Sequence, residues 1–232
     1  MNTVTVVDDF NDTAVKEVIE SNELTVLNYF PSSVYIIKKP EYLEAAKEVV
    51  KSNVKSLKKM GMQANPLCEL YQTANFADDP RMADFSNFVG STGWNILQSQ
   101  GYQMADKNTF FESMWCQEHH KLSSMEQHVH PNNGAQLVGF YFIDTPKDCP
   151  RAIIYDPRPG KVQISMDETN REEVTNASNM INFIPEPGML IFTNAWLPHS
   201  FTRNGSSKSF RFIHFNIGVR QAPAQPEAPV IV

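Results

Sequence analysis

At 232 residues, 41% of them hydrophobic and 20% charged, the chain is long enough for one substantial core and too apolar to stay disordered. Its net charge of −6 excludes a general nucleic-acid or membrane-surface binder, either of which needs a basic face. Three cysteines without C-x-x-C spacing build neither a disulfide framework nor a thiolate zinc site; with no signal-peptide pattern and no apolar run of membrane length, the expected location is cytoplasmic.

Residues 1 to 40 carry short apolar runs, "LTVLNYFPSSVYIIKK", broken at Pro31 and Pro40. Proline holds its predecessor in extended geometry, so these runs read as strands. From Glu41 the pattern turns helical, with Leu43, Ala46, Val50, Val54 and Leu57 recurring at three and four residues as far as Gly61. The basic cluster "KSNVKSLKK" at 51 to 59 falls on the outer face of that helix and reads as solvated. A second helix is predicted from "DDPRMADF", where Asp79 caps the free amides and Pro80 suits the first turn, to a terminating Gly101.

After Thr109 nine short strands are predicted: "TFFESMWCQE", "MEQHVH", "AQLVGFYFID", "RAIIYD", "KVQISM", "INFIPE", "GMLIFTNAW", "HSFTRN" and "KSFRFIHFNIG". At that spacing they imply a sandwich, jelly roll or barrel. The expected organisation is a single mainly β domain over 1–221, with N-terminal helices in a mixed α/β support (1–108), a β core (109–220) and an extended Pro-rich tail at 222–232.

The stretch "QHVHPNN" places His128 and His130 two apart, on one face of an extended backbone, before a turn. Both rings can converge on one ion, but a transition-metal centre needs at least a third protein donor from elsewhere. His199, after the strand and turn "GMLIFTNAWLPHSF", is the candidate. His214 competes for that role. In "SFRFIHF" alternation groups Phe210, Phe212 and His214 on one face and Arg211, Ile213 and Phe215 on the other, and the expectation for His214 is a satisfied core histidine. His119 and His120, in "EHHKLSS", are expected in an exposed turn. Arg211 interrupts an apolar strand, which is costly unless a carboxylate meets it. It is either one half of an internal salt bridge or, one hairpin beyond His199, a fork that holds the far end of a dicarboxylate cosubstrate.

The ordered set "HVHPNN", "LVGFYFID", "YDPRPG", "PEPGMLIFTNAWLPHSF" and "SFRFIHFNIG" resembles the Fe(II)- and 2-oxoglutarate-dependent oxygenases, in particular a bacterial and phage branch of them. The resemblance is specific over about residues 109 to 218. It implies a double-stranded β-helix core of jelly-roll or cupin-like form and an oxidoreductase using Fe(II), 2-oxoglutarate and O2, most often as a hydroxylase. Carried over by position, His128 and His199 match the family's two iron-binding histidines and Arg211 its anchor for the 5-carboxylate of the cosubstrate. His130 stands where the family's carboxylate ligand usually stands. Either His130 is itself the third ligand, or it swings away, or Asp144, Asp156 or Glu126 supplies a carboxylate. Gln117 and Tyr141 are further candidates to bind the cosubstrate, Trp196 to wall the substrate opening and Arg158 to meet an anionic substrate.

Two other readings stand beside this one. The first is a three-His dioxygenase of the cupin type that uses no oxoacid. The second is a non-catalytic β-sandwich that binds a ligand or partner, since fold alone does not fix function. The substrate, a small molecule or a protein side chain, is not spelled out, and the N-terminal region would cover one side of the barrel or form a homodimer contact.

Overall fold

The computed structural model describes residues 5–7, 25–27, 30–65, 67–130, 134–164 and 166–223. The chain divides into two compact units, Met1–Ser33 and Val34–Val232. In the first, β1 (Thr5–Val7) and β2 (Thr25–Leu27) pair in parallel. All that follows concerns the second. Residues 224 to 232 of the expected Pro-rich tail lie outside the described residues.

The second unit begins with β3 (Val34–Lys38) and α1 (Leu43–Met60), which stops at Gly61 in a left-handed conformation, φ +66°. That is the conformation only glycine adopts without cost. A short strand β4 (Leu70–Gln72) follows, unforeseen in "ELYQ" because three residues are too few to display a period. The Asp79 side chain then accepts from the Arg81 amide and caps a single 3-10 turn at Pro80–Met82, which leads into α2 (Ala83–Ser99). Gly93 has a packing reason: a Cβ there would stand 2.9 Å from Ile217, so the glycine lets α2 lie close on the sheet.

The remaining strands are β5 (Lys107–His119), β6 (Met125–His128), β7 (Ala135–Asp144), β8 (Ala152–Tyr155), β9 (Met180–Phe183), β10 (Met189–Asn194), β11 (His199–Phe201) and β12 (Phe210–Gln221). They form a six-stranded sheet in the order β3-β10-β7-β12-β5-β4 and a four-stranded sheet in the order β6-β11-β8-β9. Every pairing in both sheets is antiparallel. "KVQISM" is not a strand: Pro159–Gln163 forms a 3-10 turn. The Lys161 ammonium donates to the Ala177 carbonyl and the Asn179 side chain. Ile164 and Met166 are left exposed, so the alternation there has no buried face to serve.

Alternation along the strands sorts the core into two layers. Met114, Cys116, Tyr141, Phe192, Ile213, Phe215 and Ile217 join residues of α1 and α2 on the outer face of the six-stranded sheet. Phe140, Phe142, Ile191, Phe210 and Phe212 meet Phe201 and Ala152 of the other sheet on its inner face. The side on which a residue of β12 lies therefore decides whether it faces helix or barrel.

Candidate metal centre

The inner layer changes character along its length. At one end it is aromatic: Phe212 stacks on Phe201 with ring centroids 4.5 Å apart, and Phe140, Phe142 and Phe210 pack around them, none more than 2% exposed. Toward the other end the aromatics give way to imidazoles. His199 on β11 pairs directly across from His128 on β6. His130, just beyond β6, is held by its backbone N–H donating to the Ala195 carbonyl at 2.8 Å. His214 comes from the opposite sheet, paired with Trp115 on one side and Phe140 on the other. One donor atom from each of these four histidines lies within 4.8 Å of the others. Nitrogens around one first-row divalent ion stand about 3 to 4.3 Å apart when each bond is about 2.1 Å, so a small contraction closes the group.

The hydrogen bonds leave the right atoms free. His128 Nδ1 donates to the Glu126 carbonyl at 2.8 Å and His199 Nδ1 to the Leu197 carbonyl at 3.0 Å. Each bond fixes a tautomer in which Nε2 carries a lone pair, the arrangement metal-binding histidines use. Nε2 of His130, Nε2 of His199 and both ring nitrogens of His214 are buried and make no hydrogen bond. Burial pushes the His130 imidazole down to about 4 and the His199 imidazole to about 3, with the neighbouring histidines adding to the effect. It likewise holds His214 well below its ordinary value. All three are neutral near pH 7, the form that ligates. Trp115 stacks on His214 at 4.3 Å, and Phe140 lies 5.1 Å from the His199 ring and 4.6 Å from that of His214, so the inner side of the cluster is dry.

His128, His130 and His199 are thus brought together, and the other three candidates from the sequence are not among them. Gln117 lies on the inner face, but its amide donates to Gln72 and its carbonyl meets His119 Nε2. Tyr141 points the other way, packing on Phe85 and donating to the Lys39 carbonyl at 2.6 Å. Arg211 also lies on the outer face, where its guanidinium is paired with Glu118 and Asp144. Lys58 and His120 complete the shell around the same Glu118. Burial alone would raise the Glu118 carboxyl, and the hydrogen bonds it accepts from Lys58, Arg211 and the His120 ring more than offset it, holding it below the usual range.

Other expectations need correcting too. His214 is not a satisfied core histidine, having no hydrogen-bond partner. His119 is fully buried at the end of β5, and His120 is half-buried against Glu118. Among the described residues, no carboxylate joins the four histidines in the group that could hold a metal. Asp144 is tied to Arg211, and Asp156 to Arg158 and its own turn. The signal for His214 was present in the alternation of β12, which sets it with Phe210 and Phe212. The same alternation removes Arg211 from the barrel.

Two antiparallel sheets facing each other, with donor side chains gathered between them, define a jelly-roll protein of the double-stranded β-helix type. Residues 113–216, a little under half of the chain, match the family model described as "Putative 2OG-Fe(II) oxygenase". Over that stretch the chain is similar to the 2OG-Fe(II) oxygenases, a likeness that covers the strands carrying the histidine cluster. Among solved structures it is similar to AviO1 from Streptomyces viridochromogenes Tue57, with a TM-score of 0.57 and 11% identity over 85% of this chain and 93% of that one. A prolyl-4-hydroxylase from Pseudomonas putida gives a TM-score of 0.53 and 6% identity over 81% and 92%. HygX from Streptomyces hygroscopicus, in a structure with nickel, 2-oxoglutarate and hygromycin B bound, gives 0.50 and 10% over 81% and 83%. At these identities the likeness is one of fold. No curated protein matches by sequence.

The residues present fit the two parts of that chemistry unequally. A divalent metal fits, because orphaned neutral imidazoles converge at one place. The far carboxylate of 2-oxoglutarate does not fit the residues expected to hold it. Arg211 and Tyr141 are on the other face of the sheet, and the inward positions flanking Arg211 are Phe210 and Phe212.

Proposed function

We propose that the chain is an iron-dependent oxygenase acting on a small molecule, with the metal held by His128, His130 and His199. The observation that carries this reading is the convergence of three imidazoles whose backbone contacts leave Nε2 free. Bound there, Fe(II) supplies redox chemistry toward dioxygen. The chain's own part is to orient and to exclude water. The Glu126 and Leu197 carbonyls set two of the rings, the Ala195 carbonyl fixes the backbone of the third, and Trp115 and Phe140 seal the inner side. Trp196, next to Ala195 and half-exposed, is placed to contact a substrate at the mouth. Small-molecule chemistry is supported by the HygX structure with hygromycin B bound.

A second reading, an Fe(II) dioxygenase that takes no oxoacid, is favoured by the pairing of Arg211 with Glu118 and Asp144 outside the barrel. Anaerobic titration of the apoprotein tests both. One equivalent of Fe(II) or Co(II) is expected to bind, and His199→Ala should weaken binding by more than about a hundredfold. If His199→Ala binds metal as well as the parent, the ligand set is wrong. Addition of 2-oxoglutarate to the Fe(II)-loaded protein then separates the two readings: an oxygenase that uses the oxoacid gives the visible charge-transfer band of its chelate without dioxygen and releases succinate once dioxygen is admitted, and one that takes no oxoacid gives neither.

A further inference from the structure

The three proposed ligands all come from the side of the four-stranded sheet: β6, the residues just after it, and β11. The fourth ring of the cluster comes from the other side and has no role in that reading. We propose that His214 is a fourth metal ligand, so that the centre is a four-imidazole site bridging the two sheets. This rests on the metal centre proposed above and adds to it.

The His214 side chain is out of place as a core residue. It is 1% exposed, in a row with Phe210 and Phe212 where any apolar side chain of similar size would pack. Leaving a buried donor and acceptor unpaired costs about 1–3 kcal/mol per group, and neither of its ring nitrogens has a hydrogen bond. The Gly139 carbonyl is near the ring without reaching hydrogen-bond geometry. What the ring does face is other imidazoles: its centroid is 4.9 Å from that of His130 and 6.0 Å from that of His199. Trp115 and Phe140 clamp its two sides, which restricts it to one orientation. A neutral, orphaned, clamped imidazole with a donor atom within 4.8 Å of three others is accounted for by an ion at their centre.

The consequence is one of coordination number. Three protein donors leave three positions of a six-coordinate metal, and four leave two, the number a bidentate ligand takes. The chain therefore differs from a three-donor site in how many exogenous ligands it admits at once, and His214 sets that number.

The test is to count imidazoles. X-ray absorption on the Co(II)-loaded protein should show four histidine scatterers in the wild type and three in His214→Leu. The leucine is apolar, so the variant should keep its fold, and it should bind Co(II) at least about tenfold more weakly. Three scatterers in the wild type, or unchanged Co(II) affinity and count in His214→Leu, would overturn the assignment while leaving the three-His reading intact. The wild-type count needs no variant, so it decides the matter even if His214→Leu does not fold. Failure of the wild type to bind Co(II) at all would overturn both.

Discussion

Arg211 and His214 lie on the same strand, three residues apart and on opposite faces of the same sheet. On the outer face the charges around Arg211 have been met: Arg211 by Glu118 and Asp144, and Glu118 in turn by Lys58 and the His120 ring. On the inner face Nε2 of His130, Nε2 of His199 and both ring nitrogens of His214 meet nothing. A buried charge with a complete shell of partners accounts for its own presence. A buried neutral group without partners does not, because an apolar side chain would serve the fold better. The difference fits a structural role for one face and the proposed ligation for the other, and the variants below perturb each face by itself.

The largest effect on stability is expected from the aromatic end of the inner face. Phe212→Ala removes a fully buried ring that stacks on Phe201 and lies beside His214. It should cost about 3–5 kcal/mol by urea unfolding. If the variant is destabilised by under about 1 kcal/mol, the inner layer is not packed as described. Next comes the outer face. Glu118→Ala leaves Lys58, Arg211 and His120 without their shared carboxylate. Breaking a buried pair costs up to about 5 kcal/mol. Since Arg211 and Lys58 are each about a third exposed, solvent screening reduces this to about 2–3 kcal/mol. Metal affinity should be unchanged, and a large loss of Co(II) binding in a folded Glu118→Ala protein would mean that the two faces are coupled. Arg211→Ala should be destabilised in the same way while leaving any binding of 2-oxoglutarate to the metal-loaded protein as it was. A marked loss of that binding would restore Arg211 as the cosubstrate anchor.

Much of this was legible in the residues. The helix ending at Gly61, the cap at Asp79 and the strands around "AQLVGFYFID" and "SFRFIHF" follow from local spacing, which the fold has no reason to override. The pairing of His128 with His199 follows from H-x-H and a distant strand end. What misled was distance along the chain taken as distance in space: Arg211 is one hairpin from His199, yet the pleat turns it outward. Tyr141, expected to bind the cosubstrate, is turned outward for the same reason, alternating with Phe140 and Phe142. "KVQISM" alternates without a sheet to join, and no local pattern reports that. His214 was hidden by a general expectation, that a histidine in a core is satisfied, which only the full set of neighbours can test.

The smallest effect, and the one that samples the inner face away from the proposed metal centre, concerns His119. Its ring stacks on Phe212, its Nε2 meets Gln117, and its Nδ1 is buried without a partner. Burial, with His120 adding to it, pushes this imidazole down to about 4 from an ordinary 6.5. The folded protein therefore resists a proton that the unfolded chain accepts. The contribution is fully present above pH 6.5 and is lost as pH falls from there toward 4. Between pH 7.5 and pH 5 the loss from this one ring is about 2 kcal/mol. The comparison that isolates it is urea unfolding of metal-free wild type and His119→Phe at both pH values. The other histidines are the same in both proteins and cancel, and the Gln117 carbonyl left unpaired in the variant shifts its stability equally at either pH. Wild type should lose about 2 kcal/mol more than the variant on acidification. Equal losses would mean that the His119 ring takes up its proton within the fold, and that the inner layer beside Phe212 is wetter than its packing implies.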